Sequence, residues 1–151
     1  MIMVWLSAAT GADVELLATA IRPNLKLYPR GQSHIHLVKN GAGMPTAEAR
    51  AGFAAQMAQY DRQLACVAVA LLGRGFWASA LQGAITGMRM LAPRSFEMRT
   101  HSDLEDIVEW LPDAHGERTG VFLDPAELLA AMNQALLAGS GAPTRAAETS
   151  G

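Results

Sequence analysis

A chain of 151 residues is the length of one domain, enough for a core between two or three layers. Half of the residues are apolar, 17% are charged and the formal net charge is −2, which excludes a disordered polyelectrolyte and leaves no basic footprint for nucleic acid. The single cysteine, Cys66, excludes an intramolecular disulfide and fits a reducing cytoplasm.

Residues 1–6 are apolar and partly β-branched and predict a first strand; without a basic leader they are too short a run for a signal peptide. From Ala12, apolar residues at Val14, Leu16, Leu17, Ala20 and Ile21 make a helical stripe. Pro23 is expected to break or bend that helix, because proline removes a ladder donor. Residues 25–28 either continue it or form a separate turn. After a Pro-Arg-Gly-Gln loop, residues 34–38 read as a strand with Ile35 and Leu37 on one face. A glycine-rich connection, residues 40–45, leads to Thr46, a good N-cap for an alanine-rich helix running through Leu64.

Residues 65–72 are an unbroken apolar run and predict a buried strand, with Cys66 as a small hydrophobe inside it. Gly73-Arg74-Gly75 then turns into a helix carried by Phe76, Ala80, Ile85, Met88 and Leu91, which Pro93 stops. The glycine turn divides this apolar stretch, and neither half approaches the ~20 residues of a membrane-spanning helix. Residues 96–100 alternate and predict a short strand. Ser102 with Glu105 forms a capping box for a helix through Ile107, Val108, Trp110 and Leu111, ended by Pro112. Residues 112–120 are polar and read as a linker. Asp124-Pro125-Ala126-Glu127 is a strong helix start, and Leu128, Leu129, Met132, Ala135 and Leu136 give one apolar stripe. Residues 139–151 are Gly, Ala, Ser, Thr and Pro and are expected to be disordered.

Strands separated by helices require parallel pairing with right-handed crossovers. The predicted fold is therefore α/β: one four-stranded, mostly parallel sheet with helices packed on it. Its body is residues 1–111, followed by the linker, an appended amphipathic helix in residues 121–138 and the tail.

Three features of this order carry a family resemblance. The first strand runs through a helix into the strand 34–38, whose exit loop precedes a helix. The apolar strand 65–72 opens into Gly73-Arg74-Gly75-Phe76-Trp77. Phe96-Glu97-Met98-Arg99-Thr100 leads into an acid-rich helix ending in Trp110-Leu111. Over residues 1–111 the chain resembles the STAS domain, the SpoIIAA-like fold of anti-sigma factor antagonists, in a divergent stand-alone bacterial form. The resemblance implies a non-enzymatic interaction module in signalling or regulation. In the signalling members a serine or threonine at the start of the second helix, in an Asp-Ser-Ser/Thr-Gly setting, accepts phosphate from a partner kinase. Here the Asp-Ser pair is missing, and Thr46 is the only hydroxyl that could be the phosphoacceptor; a helix cap also explains it.

Other constellations are weighed against plainer readings. Gly73-Arg74-Gly75 lies before a helix N-terminus, which favours an anion, but the Lys-Ser/Thr of a phosphate loop is absent. A tight turn explains the glycines equally. His34 and His36 share a strand face, yet two histidines make an incomplete metal site, and an ordinary polar strand face accounts for them. Ser79, Ser95 and Cys66 lie in no nucleophile elbow, so no catalytic residue, metal or cofactor is assigned. Basic residues Arg22, Lys26, Arg30 and Lys39, and the acidic run from Asp103 to Glu117, read as solvated faces or as docking surfaces.

The expected function is that of a cytoplasmic protein-interaction domain without membrane insertion, binding another protein or itself. Its contact surface would be the loops after the second and third strands, through Gly41, Gly43, Thr46, Gly73, Arg74, Gly75 and Trp77. The alternative is binding of a small lipid, nucleotide or anion between those same loops.

Overall fold

In a computed structural model, which describes residues 1–73, 75–91 and 95–140, the apolar run forms β3 (Leu64–Leu72), buried over its first eight residues. A strand covered on both faces has no side on which a polar residue could meet water, so the run is apolar throughout. On one side β3 pairs with β2 (Gln32–Lys39), which in turn pairs with β1 (Ile2–Trp5). On the other it pairs with β4 (Glu97–His101). The sheet is α/β in type, four-stranded in the order β1-β2-β3-β4, and every pairing is parallel.

A strand order that never reverses, joined by right-handed crossovers, sends every connecting helix to the same face. There α1 (Gly11–Leu27), α2 (Ala47–Gln59) and α3 (Phe76–Leu91) cover Val38, Val67, Val69, Leu71 and Met98 of the sheet. The opposite face, with Ile35, Leu37, Cys66, Ala68 and Ala70, is covered by α4 (Leu104–Thr119) and α5 (Pro125–Ser140). The result is three layers. Among the described residues no helix is long and apolar enough to cross a membrane.

Several expected boundaries move, each for a local reason. Pro23 does not end α1: the helix runs on to Leu27, with Val14, Leu17, Ile21 and Leu25 buried along one stripe. Pro23 lies on the exposed side, where water can take the carbonyl freed by the missing N–H. Asn24 Nδ2 also donates to the Ala20 carbonyl at 2.9 Å. The α1 start is a reciprocal capping box in which Thr10 Oγ1 accepts from Asp13 N and Asp13 Oδ2 accepts from Thr10 N. Helix α2 ends at Gln59, and Leu64, expected to close it, is the first residue of β3. At Gly52 an added Cβ would stand 2.8 Å from Val14 Cγ1, so glycine permits the close crossing of α1 and α2.

The segment 112–120, expected as a linker, is helix up to Thr119 and ends on Gly120 in the left-handed region at φ 70°. The buried stripe of α4 runs Leu104, Ile107, Leu111, His115 and Thr119, so burial carries the helix past Pro112. Its cap is Asp103 rather than Ser102: Asp103 Oδ1 accepts from Asp106 N at 2.9 Å. Helix α5 is capped by Asp124 and buries Leu128 and Met132. Pro93, the side chains of Phe76, Met88 and Leu91, and the tail from 141 onward lie outside the described residues.

Candidate functional site

The strand period places Trp5, His34, His36, Val38, Val67 and Val69 on the sheet face under α1–α3. The helices do not close fully over it. Between them and the sheet lies a cavity of about 90 Å³. Its roof is Leu17 and Ile21 of α1, Phe53, Gln56 and Met57 of α2, and Leu81 and Ile85 of α3. Ser7 and Ala9 from the loop after β1, and Gly43 and Pro45 from the loop after β2, line one end. Ser7 is exposed, so the cavity reaches the surface there.

The polar atoms of this wall are few and defined. Trp5 Nε1 donates to His36 Nδ1 at 3.1 Å. The two rings lie edge to edge with planes 6° apart, and Phe53 stands at 86° to both. An indole nitrogen only donates. His36 Nδ1 must therefore accept, which puts the proton of the neutral ring on Nε2. Gln32 Nε2 lies 2.9 Å from His34 Nε2. Burial, then His36 and the chain-terminal amine, pushes His34 down to about 2; burial, then the same amine, pushes His36 down to about 4. Tyr60 caps the end of α2 and lines the cavity, and its buried hydroxyl has no hydrogen-bond partner among the described residues. Among the described residues, no Lys, Arg, Asp or Glu lines the space.

This corrects the reading of His34 and His36 as an ordinary polar strand face: His34 is buried, and His36 is half-buried and borders the cavity. Among the described residues no group of three or more His, Cys, Asp or Glu could hold a metal ion.

The expected loop surface is only partly assembled. Gly43, at φ 80°, lines the cavity, and its Cβ position lies 3.2 Å from Ala8 Cβ. Gly41 and Gly75 have φ of 82° and 80° and serve turns that side-chain-bearing residues rarely adopt. Gly73 is pressed from two sides: an added Cβ would meet Trp77 Cζ3 at 2.6 Å and Asn40 Oδ1 at 2.7 Å. The loops after β2 and β3 are thus in contact. Trp77 is half-buried against Gly73 and the core rather than an exposed anchor. Arg74 lies outside the described residues.

Thr46 Oγ1 accepts from Ala49 N at 3.2 Å, and Thr46 N donates to the Ala9 carbonyl, tying the β1 and β2 exit loops together. Thr46→Ala is expected to cost about 1 kcal/mol in chemical denaturation, and Thr46→Asp to restore most of it. A stable Thr46→Ala protein would show that the cap contributes nothing.

The remaining nucleophile candidates are engaged elsewhere. Cys66 Sγ lies 3.0 Å from Ser33 Oγ, which also lies 2.8 Å from His115 Nδ1 of α4; all three residues are buried. Burial pushes the Cys66 thiol up, away from the reactive thiolate. Ser95 bonds Asp61 and Arg118, and Ser79 is exposed on α3. Sequence reasoning missed Trp5, Phe53, Gln56 and Tyr60 as site residues. The available signal was the pair of histidines in phase with Val38 on a strand whose other face is apolar.

No family model, no curated protein and no solved structure matches this chain.

Proposed function

We propose that this protein binds a small, largely apolar ligand in the cavity between the sheet and α1–α3. The observation that carries this reading is the cavity itself. Close-packed interiors leave few voids larger than a water molecule, whereas this one encloses about 90 Å³. It is of the same order as an apolar cavity of ~150 Å³ that takes up benzene. A few polar atoms set among apolar walls are the usual make-up of a small-molecule site. The buried Tyr60 hydroxyl is a group whose lack of a partner costs about 1–3 kcal/mol unless something supplies one.

Native mass spectrometry of the protein purified from its own cells is expected to show a retained organic mass on the monomer. A bare chain that also gains no thermal stability from a panel of small neutral compounds overturns the reading. Saturation of the site should raise stability by roughly 2.7 kcal/mol at a hundred times Kd.

A second reading keeps the protein as a STAS-like interaction module of bacterial signalling in the cytoplasm, with Thr46 as phosphoacceptor. The contact of Asn40 with Gly73 favours it, because the two predicted loops then present one surface. The half-buried Trp77 weighs against it, since that surface loses its best aromatic anchor. A stoichiometric protein partner in the same spectrum would select this reading.

A further inference from the structure

Resting on the ligand-binding reading, we infer that the Trp5–His36 pair makes the cavity selective for neutral ligands bearing a hydrogen-bond-accepting oxygen, which His36 Nε2–H holds, and that it excludes carboxylates of the same size.

The selection is built into the hydrogen bond. Trp5 Nε1–H points at His36 Nδ1 from 3.1 Å. Protonating His36 would put a second hydrogen on Nδ1, and two donors would then face each other across that distance. The indole therefore holds the imidazole neutral, with its one proton on Nε2. No described residue is bonded to Nε2, and His36 borders the cavity. A carbonyl, ether or hydroxyl oxygen of a ligand can accept from it.

An anion fares differently. It would leave water for a space that no Lys or Arg among the described residues lines, and the histidine that could answer it with positive charge is kept neutral by Trp5. An unpaired buried charge is strongly disfavoured. The low proton affinity of His34 and His36, set mainly by burial, acts in the same direction. Phe53, perpendicular to both rings, walls the anchor against an apolar body. The class that fits is a compact hydrocarbon ring or branched chain carrying one neutral oxygen.

Benzyl alcohol, toluene and benzoate, which are close in size, test this by calorimetric titration at neutral pH. Benzyl alcohol is expected to bind up to about tenfold more tightly than toluene, the worth of one net hydrogen bond. Benzoate is expected to bind at least roughly a hundredfold more weakly than benzyl alcohol. Nitrogen NMR of the His36 ring should show the Nε2–H tautomer, with that proton moved by benzyl alcohol and not by toluene. Trp5→Phe should narrow the gap between benzoate and benzyl alcohol, because Nδ1 is then free to take a proton. Equal binding of toluene and benzyl alcohol with an unmoved Nε2–H, or equal binding of benzoate, overturns the selectivity while leaving the cavity as a ligand site. If none of the three binds, the ligand-binding reading falls and the selectivity with it.

Discussion

Between about pH 6.5 and 4 the protein is expected to lose several kcal/mol of stability, with each of two histidines removing about 1.4 kcal/mol per pH unit. The histidines are His34 and His36. In the unfolded chain both take protons near the ordinary value of 6.5, whereas the folded protein holds His36 neutral down to about 4 and His34 to about 2. Below 6.5 the unfolded state therefore binds more protons than the native state, and stability falls as pH falls. Above 6.5 both states are neutral at these sites and the full stability is present. The cause is burial first: the two rings sit under α1–α3, and no acid among the described residues lines the same space to stabilise a positive charge. His101 and His115 are lowered too, mainly by burial, and add with the same sign. Against a total stability of ~5–15 kcal/mol this loss decides whether the protein stays folded in mild acid. Urea denaturation across that range measures it directly. The double variant His34→Gln, His36→Gln should bind about two fewer protons on unfolding. An unchanged slope in that variant would show that these rings are not buried neutral.

The architecture was legible in the sequence because its strongest signals are of the kind that periodicity reports. Residues 65–72 are apolar at every position, and only a strand covered on both faces has that requirement. The β-α alternation then forced parallel pairing. What escaped the sequence lies where polar residues do buried work. The stripe of α4 passes from Leu111 to His115 and Thr119, so a count of apolar positions stops at Pro112 while the helix continues. His115 is satisfied by Ser33, 82 positions away in sequence, a partnership that no local pattern encodes. The cavity was hidden for a related reason. His34 and His36 alternate with apolar residues as solvent-facing residues would, and only the placement of three helices on their side makes that face interior. Trp77, expected in the contact surface after the third strand, is half-buried, because the absent Cβ of Gly73 is the space into which its ring packs.

Deleting residues 121 onward is expected to abolish cooperative melting. Helix α5 is a wall of the core and not a free arm: Met132 is fully buried, Leu128 nearly so, and Leu123, Leu129 and Leu136 pack around them. They cover Ile2 and Val4 of β1 and join Ile35, Ile107 and Leu111 in one cluster beneath the sheet. At the far end of the helix, the Cβ position of Gly139 lies 3.2 Å from Val4 Cγ1, and Lys39 Nζ donates to Ser140 Oγ at 2.8 Å, so the contact extends to the last described turn. Each large apolar side chain withdrawn from that cluster forfeits roughly 1.5–3 kcal/mol of burial. Five of them approach the whole stability of a domain this size. The truncation also uncovers β1, an edge strand whose other face alone would remain packed. Met132→Ala removes a smaller part of the same wall and should cost about 2–5 kcal/mol while leaving one cooperative transition. Calorimetry of the two proteins separates the outcomes. A truncated chain that still melts sharply near the full-length temperature would mean that α5 is dispensable to the fold and free for a partner. A broad, low-enthalpy trace for the truncation beside a sharp but lowered one for Met132→Ala is the result that the packing requires.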